Sequence, residues 1–131
     1  MKRIRVGNAV VCEFIVQGST GKHTLVNVFG GDILVKELPA RISLAFYIEI
    51  VPDAGMPKDL KLDLILGTKT LATADAEFQY EPGKIGVIVL PQAQITVEEE
   101  TRIRVVASGT GRARTALVDK SICKGDIPGL S

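Results

Sequence analysis

Arg41-Ile-Ser-Leu-Ala-Phe-Tyr-Ile-Glu-Ile-Val51 places an apolar side chain at every second position. Ile42, Leu44, Phe46, Ile48 and Ile50 then share one face of an extended strand, because successive side chains of a strand point to opposite faces. A helix would scatter the same five around its circumference. The opposite face carries Ser43, Ala45, Tyr47, Glu49 and Val51. It is smaller and less polar than a free surface usually is, which points to self-association through this face.

Similar segments lie near 8–17, 23–29, 32–36, 59–67, 70–79, 85–97, 101–108 and 112–122. Gly-, Pro- and Asp-rich turns separate them. The segment 32–36 is short and reads as a continuation of 23–29 across Gly30-Gly31, so the count is eight or nine. Leu60, Leu62, Leu64 and Leu66 alternate despite leucine's helical propensity, and no segment has helical periodicity. Pro91 has no N–H for a ladder, so it marks an edge, a bulge or a crossing between sheets. The expected fold is all-β, an antiparallel β-sandwich of about eight strands with Greek-key connections. Its expected core is Phe14 or Ile15, Val28, Leu44, Phe46, Ile48, Leu62, Leu64, Phe78, Val87, Val89, Ile95, Val97, Ile103 and Val105.

The chain has 131 residues, which fits one domain spanning 1–131. An apolar fraction of 46% suffices for a core without metal or disulfide staples. A net charge of +1 sets up no global field toward nucleic acid or membrane. No apolar run approaches a bilayer span, and Gly7, Asn8 and Glu13 interrupt the basic N-terminal stretch before it resembles an export signal. The expected location is cytoplasmic. Cys12 and Cys123 are too far apart for a Cys-x-x-Cys motif and are expected as reduced thiols. Cys12 shares a strand face with Val10, Phe14 and Val16 and should be buried, with Cys123 more exposed.

Catalytic chemistry finds little support. The single histidine, His23, has Cys12 as its only candidate nucleophile, with no supporting spacing. Asp53 and Asp59 flank one loop, a weak calcium pattern, and one histidine with two distant cysteines cannot build a zinc shell. Asp63, Asp75 and Glu77 could gather on one sheet face for acid–base work, but read better as a solvated surface. Gly109-Thr-Gly111 lacks the third glycine and the helix of a phosphate loop and reads as a hairpin turn. No catalytic residue, metal or cofactor is expected, so the chain does not read as an enzyme.

That hairpin carries the sharpest candidate site. Pairing Ile103 with Leu117, Val105 with Thr115 and Ala107 with Ala113 leaves Arg102, Arg104, Arg112, Arg114 and Lys120 on the other face. Such a positive patch would suit a phosphate, a nucleotide or an acidic partner surface. The plainer reading is a solvated face whose arginines pair with Glu98, Glu99 or Glu100. Nucleic acid is disfavoured, because the patch holds no aromatic side chain for base stacking. Gly30 and Gly31 allow a sharp change of direction, or offer bare backbone to a ligand.

Cys12-Glu13, Gly21-Lys22 and Asn27-Val28-Phe29-Gly30-Gly31-Asp32-Ile33 resemble the "CE … GK … GVYGG" pattern of a family of small bacterial and phage proteins with no assigned activity. Pro39, Leu44 with Phe46, and Pro91 match that family's later landmarks. The resemblance implies a β-sandwich in a bacterial or phage setting. Together these readings favour a non-enzymatic module that binds a protein partner or itself, a phage virion accessory protein among the forms it could take. A small anionic ligand held by Arg102, Arg104, Arg112, Arg114, Gly30 and Gly31 is the alternative.

Overall fold

A computed structural model describes residues 1–81 and 83–126. These residues form ten strands and no helix. The strands are β1 (Lys2–Arg3), β2 (Val6–Gln17), β3 (His23–Val28), β4 (Ile33–Val35), β5 (Ala40–Ile50), β6 (Asp59–Leu66), β7 (Lys69–Glu77), β8 (Gly86–Val97), β9 (Thr101–Gly109) and β10 (Arg112–Lys124). They make two sheets. One runs β1-β10-β9-β6-β7, with β4 also paired to β10, and the other runs β3-β2-β5-β8. Pairing is mostly antiparallel, but β1 and β4 both join β10 in parallel. No helix is long and apolar enough to cross a membrane.

Contacts group the chain into two compact units. The first comprises Met1–Ala9, Ile48–Ile88 and Ile103–Asp119. The second comprises Val10–Tyr47, Val89–Arg102 and the described chain from Lys120.

In the first unit the core is Ile4, Ile48, Ile50, Leu60, Leu62, Ile88, Ile103, Val105, Ala107 and Leu117, all buried. β6 sets Leu62 against Ala107 and Leu64 against Val105, so cross-strand partners share a face as the pleat requires. The leucine alternation does not carry through. Leu60 and Leu62 are buried, but Leu64 and Leu66 are half-buried and Ile65 is buried instead. On the β7 side the register shifts between Leu64 and Ile65, which pair with Ala72 and Thr70 and leave Leu71 as an extra residue. On the β9 side Arg104 lies opposite Ile65, and its guanidinium donates to the Gly67 carbonyl at 3.3 Å. Thr115 is buried and satisfied: its hydroxyl accepts from the Ile4 N–H and donates to the Ala113 carbonyl.

In the second unit Val11, Ile33, Val35, Leu44, Phe46, Ile95, Val97 and Ile122 are buried. Cys12, Ile15 and Ala45 form a further buried cluster, with Leu25, Tyr47 and Val89 packed against it. On the second face of β5, Ala45 is buried, and Ser43, Tyr47, Glu49 and Val51 are half-buried. β4 is not a continuation of β3. Residues 29–32 carry the chain from the four-stranded sheet to the six-stranded one, where Ile33 pairs with Ile122.

Of the two alternatives for β2, Ile15 is the core residue and Phe14 is exposed. Val28 and Val87, expected inside, are 55% and 38% exposed. Both lie on edge strands of the four-stranded sheet, where a neighbour is missing on one side. Phe78 and Val89 are half-buried. Pro91 lies within an unbroken β8 at the other edge of that sheet, so it marks an edge and not a crossing.

Candidate functional site

The five cations of the β9–β10 hairpin fall in both units and differ in their partners. Arg112 leads β10 into the protein, with 4% of its side chain exposed. Both of its terminal nitrogens bond the Asp53 carboxylate, Nη1 to Oδ2 at 2.9 Å and Nη2 to Oδ1. A planar guanidinium matches a carboxylate in this two-pronged way. The Arg112 hydrogen bonds hold the Asp53 carboxyl below its usual pKa. Arg112 thus has a carboxylate partner within its own chain.

The others are engaged to varying degrees. Arg114, 58% exposed, reaches Asp63 Oδ2 at 3.4 Å. Asp63 also accepts from the Thr73 hydroxyl at 2.7 Å, and that bond is the main reason its pKa is lowered. Arg102 Nη1 donates to Ser121 Oγ at 2.8 Å. Lys120 Nζ donates to the carbonyls of Phe29 and Gly31, at 3.0 and 2.7 Å. The candidate residues are also divided: Arg104, Arg112 and Arg114 belong to the first unit, and Arg102, Lys120, Gly30 and Gly31 to the second. Glu100, an expected arginine partner, accepts instead from the Lys124 backbone N–H.

Gly30 and Gly31 line an open groove of about 930 Å³. Residues 27–34 form one side, and Glu13, Arg41, Ile42 and Ser43 the other. Asn27 stands at φ 56°, in the left-handed region that asparagine tolerates better than most residues. Ser43 ties the floor together, donating to the Glu13 carbonyl and accepting from Gln92 Nε2, each at 2.9 Å. No atom lies within 4 Å of where a Cβ would stand on Gly30 or Gly31, and neither has a positive φ. Packing therefore does not demand glycine at either position. Lys120 fixes the segment from behind by holding two of its carbonyls.

The other chemistries find no assembly. Cys12 pairs with Val28 while His23 pairs with Gln17, five positions along the ladder. That spacing is about 17 Å, far beyond proton-transfer reach. The Cys12 thiol is buried, which raises its pKa. The His23 ring instead meets Tyr47, with centroids 5.7 Å apart. Among the described residues no three His, Cys, Asp or Glu side chains gather to hold a metal.

No family model, curated protein or solved structure matches the chain.

The Asp53–Arg112 pair was not legible as a pair. Fifty-nine residues separate the two, and the sequence pattern sets Asp53 with Asp59 in a loop and Arg112 with the hairpin arginines. The role of Lys120 was equally hidden, because its acceptors are backbone carbonyls 89 and 91 residues away.

Proposed function

We propose that this chain is a non-enzymatic interaction module that binds a protein partner or a second copy of itself. The supporting observation is the placement of exposed apolar side chains. Of seven large ones, five are Phe14, Val16, Val28, Ile85 and Val87. They lie on β2 and β3 or at the start of β8, toward the two edges of the four-stranded sheet. Scattered exposed hydrophobics are normal, but ones gathered at open edges suit recognition. Sedimentation equilibrium up to high micromolar concentration tests the self-association arm. The partner arm is tested by capture from a bacterial or phage-infected lysate, compared with a Val16→Glu/Val28→Lys variant. A monomer that captures nothing, or captures the same proteins with both baits, sinks the reading. Greek-key connectivity, a cytoplasmic setting, kinship with the small bacterial and phage family and a virion accessory role belong to the same proposal.

A second reading is a small anionic ligand or nucleotide. It is supported by the open groove beside Gly30 and Gly31, which Arg41 also lines. A thermal-shift screen of nucleotides and phosphorylated metabolites tests it. A ligand at 100 times its dissociation constant should stabilise by about 2.7 kcal/mol. An equal shift in an Arg41→Ala/Gly31→Val variant, or no shift at all, removes this reading.

A further inference from the structure

The charges along the groove beside Gly30 and Gly31 differ from those of the hairpin. Glu13, Asp32 and Arg41 all line it. Among the described residues, none of these three side chains makes an ion pair or a hydrogen bond, whereas Arg112, Arg114 and Lys120 all do. Two carboxylates and one guanidinium are thus left for something outside the chain, with Val28, Phe29, Leu34 and Ile42 as their apolar neighbours in the lining. Gly30 and Gly31, which neither packing nor φ requires, let that something approach the backbone closely. A fitting ligand offers a cation to the carboxylates and a single anionic group to the guanidinium. A polyphosphate is disfavoured, because it sets several negative charges against Glu13 and Asp32.

Spacing sets the size of the ligand. The Ser43 hydroxyl donates to the Glu13 carbonyl at 2.9 Å, so β5 lies beside β2 there. Arg41 stands two residues from Ser43 along β5, about 7 Å at the rise of a strand. Two extended residues span about 7 Å as well, so a dipeptide separates its terminal amine and carboxylate by a similar length. We infer that the groove binds a small zwitterion with an apolar body, an apolar dipeptide with both termini free. Arg41 takes its carboxylate, and Glu13, with Asp32, draws its ammonium. This rests on the second reading above, that Arg41 holds an anionic group in this groove, and narrows the ligand to one that also carries a cation.

Isothermal titration calorimetry of the full chain with leucyl-leucine, N-acetyl-leucyl-leucine, leucyl-leucinamide and adenosine monophosphate tests the inference. Leucyl-leucine should bind, and each blocked form, lacking one terminal charge, should bind about tenfold or more weakly. Glu13→Gln should weaken leucyl-leucine by a similar factor and leave the acetylated form unchanged, since that form has no ammonium to lose. Arg41→Ala should weaken leucyl-leucine likewise and spare leucyl-leucinamide. A variant that merely misfolds cannot imitate this pattern. No binding of leucyl-leucine, undiminished binding of the blocked forms, or variants that weaken every probe alike overturns the zwitterion. If adenosine monophosphate then binds through Arg41, the anionic-ligand reading stands without it. If neither probe binds, both fall.

Discussion

Arg112 and Asp53 show how one contact can reverse the meaning of a residue. Removing the carboxylate strands a buried guanidinium, whereas replacing the arginine with an apolar chain of similar length removes charge and cavity together. Asp53→Ala should therefore lower the melting temperature more than Arg112→Met. The pH dependence follows from the lowered carboxyl of Asp53. A carboxylate depressed in the folded state contributes stability above its unfolded pKa, about 3.9, and loses it as pH falls through the lower folded value. Asp63, lowered chiefly by Thr73, acts in the same direction. Acid titration of the melting temperature should show a steep fall below about pH 4, shallower in Asp53→Asn. Gly109 is a second residue-scale constraint. A Cβ there would stand 2.8 Å from both Leu60 Cδ2 and Pro57 Cγ. Leu60 is buried and cannot retreat, so Gly109→Ala should cost about 1–3 kcal/mol by overpacking, measurable by urea denaturation. The thiols follow their burial. Cys12 should resist alkylation until the protein unfolds, and half-buried Cys123 should react in the native state.

Individual elements were legible to the extent that pattern alone governs them. The alternation in residues 41–51 identifies β5, and Leu44, Phe46, Ile48 and Ile50 are all buried. Alternation says which residues share a face, but not whether that face has a neighbour. Val28 and Val87 follow the pattern and are exposed because β3 and β8 are edges, a property of sheet order that no local window contains. Leu44→Ala should therefore cost about 2–5 kcal/mol, while Val28→Ala should fall within about 0.5 kcal/mol of wild type by the same denaturation assay. Leu64 keeps the alternation's register against Val105 and is only half-buried, which nothing within β6 itself signals. The candidate site was least legible, since its arginines were read as a face before their acceptors could be known.

At the scale of the whole molecule, Arg112, Arg114 and Lys120 bond acceptors of their own chain, while the edge strands of the four-stranded sheet expose Val28 and Val87. That arrangement gives the proposed module its character. Recognition through those apolar side chains would bring no charges together, so association should change little between low and high salt, unlike a contact built on exposed ion pairs. A strong loss of association with added salt would point back to the arginines of β9 and β10.

β10 also imposes an order on biosynthesis. Lys2 and Arg3 pair with Arg112 and Ala113, and residues 33–35 pair with 122–124. On the ribosome, strands made early must wait for one made last, exposed and unpaired until it emerges. The six-stranded sheet then completes only once β10 has emerged, and its folding is slow by the standards of small domains, in roughly the millisecond-to-second range typical of sheets joined by distant residues. A nascent chain stalled before residue 112 should be digested rapidly by protease. One released after residue 124 should not.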